Sequence, residues 1–369
     1  MGGAFGAGGH DRIKLIIKQA KARLKKRPQV TDLTIDVFGF SRGAAMARHF
    51  VNVIRRDKLL SKQSIRFLGL FDTVGSFGIP GNNKDDFDFG VSNDYVRYVY
   101  QLVAENELRK NFDLQSIRRE SSVPYQMNDS CCKGDRWMVE ILCPGVHSDI
   151  GGGYDKLSPE RKRPQHGNDN NLLSRVYLER MFTVARKCEV PFVNPPREDK
   201  KEFWQVDKDI KTMLSNILGY YNRQPFLRVA HSILREAEAY LEVEKYRFKH
   251  TQKTINRGGK RRTNPHYTRR KLHIKRLTKT GIPALKALFL AEAFKNDNHR
   301  RNTFLRHYRT FKNRYMHDSH FQSNLTIGME AQTSSMGTNS MLWPSTATNQ
   351  KAAVIKDTLK REIFYNTAS

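Results

Sequence analysis

The hydrophobic pattern of this chain changes period several times in its first half. Ile13, Ile16, Ile17, Ala20 and Leu24 recur at three- and four-residue spacing, with Asp11 placed to cap them, which predicts a helix that Pro28 ends. Leu33-Thr34-Ile35-Asp36-Val37-Phe38 is short, β-branched and mostly apolar, and reads as a strand. Ala44 to Val51 is small and helix-prone. Ile65 to Phe71 reads as the next strand, residues 94–110 as a helix, Asn111 to Asp135 as irregular, and Met138 to Leu142 as a further strand. Leu173, Tyr177, Leu178, Met181, Phe182 and Ala185 form another amphipathic face, and Cys188 to Pro196 closes this part. Helices alternating with strands predict an α/β fold with a parallel sheet.

The second half has a helical period. Leu227, Ala230, Leu234, Ala237 and Leu241 form a packed seam, and a helix is expected from Pro283 to Phe294, with proline suited to its first turn. Gly258-Gly259 and Pro265 punctuate the stretch between them. Residues 325–350 are rich in Ser, Thr, Asn and Met without a period and read as a loop or tail; a last short helix is expected over Lys351 to Phe364. The expected organisation is a catalytic domain over 1–195, a basic, mainly helical region over 196–325 and a C-terminal segment over 326–369.

Between the first strand and its helix lies Gly39-Phe40-Ser41-Arg42-Gly43, a G-x-S-x-G pentapeptide on a strand–turn–helix. The two glycines are expected to let strand and helix approach while the serine sits strained at the apex. A serine hydroxyl is inert at neutral pH unless a base takes its proton. Asp72 lies at the end of the next strand, and His147 follows the strand ending at Leu142, ahead of Gly151 to Gly153. The carboxyl ends of parallel strands share one edge, so Ser41, Asp72 and His147 would meet there. Their chain order, Ser, Asp, His, is that of α/β-hydrolases. The expected roles are nucleophile for Ser41, general base and acid for His147, orienting acid for Asp72, and oxyanion donor for the amide of Arg42.

Taken singly, each residue has a structural reading. Asp72 could cap a turn, and His147 could be a hydrogen-bonded loop histidine. Asp149 is a rival acid that could instead tie glycine amides or hold a cation, and His317 is a rival base. Phe77, Ile79, Phe87 and Phe89, in the loop from Gly75 to Gly90, could line a substrate entrance or tuck that loop onto the core.

Three motifs together, Phe38-Gly39-Phe40-Ser41-Arg42-Gly43-Ala44-Ala45, Gly69-Leu70-Phe71-Asp72-Thr73-Val74 and Pro144-Gly145-Val146-His147-Ser148-Asp149-Ile150-Gly151-Gly152-Gly153-Tyr154, resemble the type VI secretion phospholipase effectors of the first lipase class. Val99 to Arg109 with Phe112 resembles a helix of that family, and Tyr315-Met316-His317-Asp318-Ser319 a late motif. The resemblance covers about residues 1–190 and implies an α/β-hydrolase domain that cleaves fatty-acyl esters of phospholipids, delivered into a rival cell as an antibacterial toxin. It implies secretion-apparatus and immunity proteins as partners. In the family, a glycine-rich loop like Gly2 to Gly9 follows an earlier strand that helps build the oxyanion hole. That strand is not seen ahead of Met1, so a truncated or split gene product is an expectation.

Composition narrows this further. Cys131, Cys132, Cys143 and Cys188 have no metal-ligand or disulfide-framework spacing, so reduced thiols and no metal are expected, and the chemistry calls for no cofactor. Met1 is followed by glycines rather than a basic region and an apolar core, and the longest apolar run, Ala287 to Ala291, is far short of a membrane span. The expectation is a protein made in the cytoplasm and exported by a specialised secretion system.

The net charge is +28, and residues 241–310 hold 20 Lys and Arg against 4 Asp and Glu. That field attracts polyanions, with an anionic phospholipid surface the expected partner. No zinc spacing or aromatic signature directs it to nucleic acid. The bland reading is a solvated basic linker. A second functional reading remains open: a hydrolase scaffold, weakly active or inactive, that binds anionic membranes or nucleic acid through charge. The triad alone also admits peptides and small esters.

Overall fold

The computed structural model describes residues 9–27, 29, 33–57, 60, 62–77, 87–107, 112–120, 125, 129–152, 172–193, 206, 208–249, 251–257, 260–295, 297–316 and 363–366. These fall into two compact units, one drawn from Met1–Ser215, Thr310–Gly328 and Arg361–Ser369, the other from Asn216–Arg309 and Met329–Lys360. No helix among the described residues is long and apolar enough to cross a membrane.

The first unit is α/β-hydrolase-like: a four-stranded, all-parallel sheet flanked by helices. Helix α1 (Gly9–Lys25) leads to β1 (Thr34–Phe40), α2 (Arg42–Arg55), β2 (Ser64–Phe71), β3 (Val96–Ala104), β4 (Leu114–Gln115), β5 (Trp137–Cys143), α3 (His147–Gly151) and α4 (Leu172–Lys187). The sheet order is β1-β2-β3-β5. Parallel strands need crossovers, so their faces are covered and their apolar runs are nearly continuous. The core joins Ala44, Ala47, Val51 and Ile54 of α2 to Leu68 and Leu70 of β2 and Val96 and Val99 of β3, with Ile17, Ala20 and Leu24 of α1 packed against it. Ile13 is buried as its period predicts, but Ile16, expected on the same face, is 50% exposed.

The expected helix over 94–110 is corrected: Val96–Ala104 is a strand, β3, between β2 and β5. Val96, Tyr98, Val99, Tyr100 and Val103 are β-branched or aromatic and favour the pleated conformation. With both faces covered, the run shows no two-residue alternation, which is what hides a central strand. A second correction concerns the C-terminal helix. Ile363 and Phe364 form β8, parallel to β4, with Ser116 N–H donating to the Phe364 carbonyl over 2.8 Å. The Asn366 side chain fastens it by accepting from Val91 N–H (3.0 Å) and donating to the Val91 carbonyl (2.7 Å). The rest of that expected helix and the 325–350 segment lie outside the described residues.

In the second unit the expected seam exists. Leu227, Ala230, Leu234, Ala237 and Leu241 of helix Pro225–Lys249 are all buried. Helix Ile282–Phe294 matches the expected Pro283 start and buries Leu285, Phe289, Leu290 and Phe294. The basic stretch is not an unstructured linker over its described residues. Thr254–Arg257 (β6) and Lys260–Thr263 (β7) form an antiparallel hairpin whose second strand is exposed throughout. Helix Pro265–Arg276 follows, its first turn capped by Asn264, which accepts from His266 N–H.

One fully buried charge ties α2 to the sheet unit. Arg48 donates to the carbonyls of Phe89 (2.5 Å), Gln115 (2.8 Å) and Ser116 (3.4 Å). Burial pushes its pKa down to about 10, so it stays cationic at neutral pH. Arg48→Met would leave three carbonyls without these donors, with an expected stability loss of about 3 kcal/mol. Urea unfolding monitored by tryptophan fluorescence checks this; a loss below about 1 kcal/mol would contradict the packing described.

Candidate active site

Strand β1 ends at Phe40, and the chain turns at Ser41 into α2. Ser41 has φ 58° and ψ −128°, a positive-φ conformation that a non-glycine residue holds only under constraint. The constraint is visible. Ser41 N–H donates to the Phe71 carbonyl (3.0 Å), and its own carbonyl accepts from Ala44, Ala45 and Val74 N–H (3.0, 3.2 and 3.3 Å). The close approach behind the turn depends on Gly39, where a Cβ would lie 2.4 Å from the Gly43 carbonyl oxygen. Gly43 is different: a Cβ there meets nothing within 4 Å, so only the first glycine of the pentapeptide is required by space. Arg42 opens the helix, which puts its amide N–H in the first turn, at the positive end of the helix dipole. Its side chain is partly buried, which lowers the guanidinium pKa.

Asp72 follows β2 directly and is fully buried, also at positive φ (43°). Its N–H donates to the Leu102 carbonyl (2.7 Å), and Oδ1 accepts from Ala104 N–H (2.9 Å), so the end of β3 grips it at two points. Its other oxygen, Oδ2, lies 2.6 Å from His147 Nδ1. An ionised carboxylate can only accept, so Nδ1 carries the proton and Nε2 is left as the basic nitrogen.

His147 opens α3 and is 4% exposed. Its backbone N–H donates to Glu107 Oε2 (3.2 Å), and its ring packs between Phe40 (centroids 4.5 Å apart) and Phe112 (5.0 Å). The loop before it is held by Asn106, whose side chain accepts from Gly145 N–H (2.8 Å) and whose N–H donates to the Gly145 carbonyl (2.9 Å). Phe40 therefore links the serine turn to the histidine segment. It immediately precedes Ser41, touches the His147 ring, and fills the space of a Cβ at Gly151, which would come within 2.0 Å of its ring.

The structure thus hydrogen-bonds Asp72 to His147 and lays the Ser41 backbone against the chain on both sides of Asp72. Asp149, the rival acid, is 1% exposed and accepts from Val146 N–H (3.0 Å) across its own turn, while the imidazole takes Asp72. His317 lies outside the described residues, as do Gly153, Tyr154 and Ile79. Of the loop aromatics, Phe77 is 2% exposed and stacks on Phe87, which stacks on His10, so these described rings pack on one another. Among the described residues no cluster of His, Cys, Asp or Glu is arranged to hold a metal ion.

Sequence reasoning did not assign Glu107, Asn106, Gln101 or Glu140. The available signal was a polar residue inside an apolar strand, as in Tyr100-Gln101-Leu102 and Val139-Glu140-Ile141: a buried polar group must be paired, and the pairing marks a site of structural or functional importance.

Residues 55–183 match the catalytic-domain model of the Tle1-like phospholipase effectors of the type VI secretion system. The chain resembles the type VI secretion phospholipase effectors. The matched segment contains Asp72 and His147, while Ser41 precedes it. An uncharacterized protein from Pseudomonas aeruginosa has a crystal structure similar over 77% of this chain and 43% of that one, with 21% identity and a TM-score of 0.44. The Tle1 effector bound to the VgrG spike of the type VI secretion system is similar over 50% of this chain and 52% of that one, with 24% identity and a TM-score of 0.36. The chain spans about half the length of these structures. No curated protein matches it.

The Phe40–Gly151 contact gives a direct test. Gly151→Ala forces the aromatic ring away from His147, with an expected stability loss of about 1–3 kcal/mol. Thermal unfolding and the exchange rate of the His147 ring N–H measure it; an unchanged midpoint and unchanged exchange would contradict the contact.

Proposed function

We propose that this protein is a serine carboxylic-ester hydrolase that cleaves acyl esters of membrane phospholipids. The observation that carries the reading is the buried 2.6 Å pair of Asp72 and His147, at the sheet edge where Ser41 occupies a strained turn. Ser41 Oγ attacks the ester carbonyl carbon while His147 Nε2 takes its proton. The imidazolium that forms is stabilised by Asp72, and the oxyanion by the Arg42 amide at the helix N-terminus. His147 then protonates the departing alcohol. Water, activated by the same imidazole, hydrolyses the acyl-serine and restores the enzyme. No metal or organic cofactor takes part.

The match of residues 55–183 to a phospholipase-effector catalytic domain supports the lipid substrate class over peptides or small esters. The same match names a type VI effector family, which supports export through a type VI apparatus; a secretion-apparatus partner, an immunity partner and an antibacterial role belong to the proposal through the sequence resemblance alone. In this reading residues 1–195 are the catalytic domain and 196–325 the part that meets the membrane, with 326–369 as the C-terminal segment. Cationic side chains of the second unit favour an anionic surface: Lys260, Arg261 and Arg262 are exposed on the hairpin, and Arg269, Lys275, Arg276 and Lys279 line one cavity. Each such cation near an anionic bilayer contributes about 1 kcal/mol.

Ser41→Ala is expected to cut turnover of a fluorogenic phospholipid by at least about a thousandfold, and Asp72→Asn by about ten-thousandfold through loss of the correct imidazole tautomer. Undiminished turnover in Ser41→Ala would remove the mechanism. Replacing Arg261, Arg262 and Arg269 together by Glu is expected to weaken sedimentation with phosphatidylglycerol vesicles about a hundredfold and leave neutral vesicles unaffected. Equal binding of both vesicle types by the unaltered protein would exclude charge-driven docking.

A further inference from the structure

Behind the Asp72 turn runs a chain of buried polar side chains that the proposed reaction does not use. Thr73, the residue after Asp72, is fully buried, and its hydroxyl is hydrogen-bonded to Gln101 Oε1. Gln101, on β3, is also fully buried; its Nε2 donates to Glu140 Oε2 (2.7 Å) and to the Gln115 carbonyl (3.0 Å). Glu140, on β5 and 3% exposed, is held by Arg118 Nε (3.0 Å), Ser116 Oγ (2.7 Å) and Ile117 N–H (2.7 Å).

The direction of the chain follows from the chemistry of its ends. A carboxylate and a carbonyl can only accept, so the amide nitrogen of Gln101 must face them. That turns Oε1 toward Thr73 and requires the Thr73 hydroxyl to donate. The Thr73 carbonyl is held by the same region, accepting from Gln115 N–H over 2.9 Å. Thr73 is therefore pinned through side chain and backbone, immediately beside an aspartate whose own φ of 43° needs outside support. An apolar strand interior would have filled the same space without desolvating five polar groups.

We propose that Gln101 is a positioning residue: oriented by Glu140, it holds the Asp72 turn through the Thr73 hydroxyl so that the carboxylate meets His147 Nδ1 in line. The proposal rests on the Ser-Asp-His reading, but its spectroscopic readout does not depend on turnover. A small displacement of Asp72 tilts the imidazole, and misplacement on the order of 1 Å costs about a hundredfold in rate.

The test is a series at Thr73 in the full chain: Ser, Cys and Val. Two quantities are measured, kcat and KM on a fluorogenic phospholipid, and the far-downfield proton resonance of His147 Nδ1–H. Thr73→Ser keeps the donor and is expected to retain kcat within about threefold, with the resonance in place. Thr73→Cys, close to serine in size but a weak donor, and Thr73→Val, close to threonine in shape but no donor, are expected to lose about ten- to a hundredfold in kcat with KM within twofold, and to broaden or shift the resonance. If Thr73→Val does not fold, the Ser and Cys pair decides alone. Equal kcat and an equal resonance in Ser and Cys would overturn the proposal, as would a Ser variant as impaired as Val, since the effect would then follow packing rather than the donor. Should Ser41→Ala retain turnover, the catalytic reading falls while the resonance still judges the positioning: an unperturbed signal in Thr73→Cys rejects it.

Discussion

The hydrogen bond between Asp72 and His147 is the interaction on which the rest of the first unit turns. Both side chains are almost wholly removed from water, and their polar atoms are 2.6 Å apart. A carboxylate buried that deeply is tolerated only when its oxygens are satisfied, and here one takes the imidazole while the other takes a backbone amide of β3. The partners are 75 residues apart in the chain. What joins them is the parallel sheet, which brings the end of β2 and the segment after β5 to one edge with β3 between.

The cost of that arrangement is visible in the backbone. Ser41 and Asp72 both sit at positive φ, and each is held by hydrogen bonds to the neighbouring strand's end rather than by its own side chain's preference. Segment 114–118 collects much of the support. It receives Arg48 from α2, Gln101 and Glu140 from the strands, and β8 from the C-terminal end of the described chain. One short strand thus fixes the helix after the serine, the turn carrying the aspartate, and a segment some 250 residues distant in sequence.

The legibility of these features in the sequence follows their locality. Gly39-Phe40-Ser41-Arg42-Gly43 is readable because a strand, a turn and a helix lie within a few residues, each with its own pattern. Asp72 and His147 are readable as residues that follow strands. Strand β3 is not: Val96 to Ala104 is buried on both faces, so no alternation separates it from a helix, and Glu105 and Glu107 just beyond it suggest a helical polar face. The pairing of β8 with β4 has no local signature at all. The hairpin at Thr254–Thr263 did have one, Gly258-Gly259 between two short β-capable runs, but the density of positive charge there points the reading toward a solvated linker. Glycine at 151 looks like loop flexibility in sequence, whereas in space it makes room for Phe40.

Everything chemical in this account reduces to whether the Ser41 hydroxyl is made nucleophilic by His147. Incubation with a fluorophosphonate followed by peptide mass spectrometry measures that directly. A single phosphonyl adduct on Ser41 is expected, and none on that residue in His147→Ala. No adduct at Ser41, or one that forms equally fast without the imidazole, would contradict it.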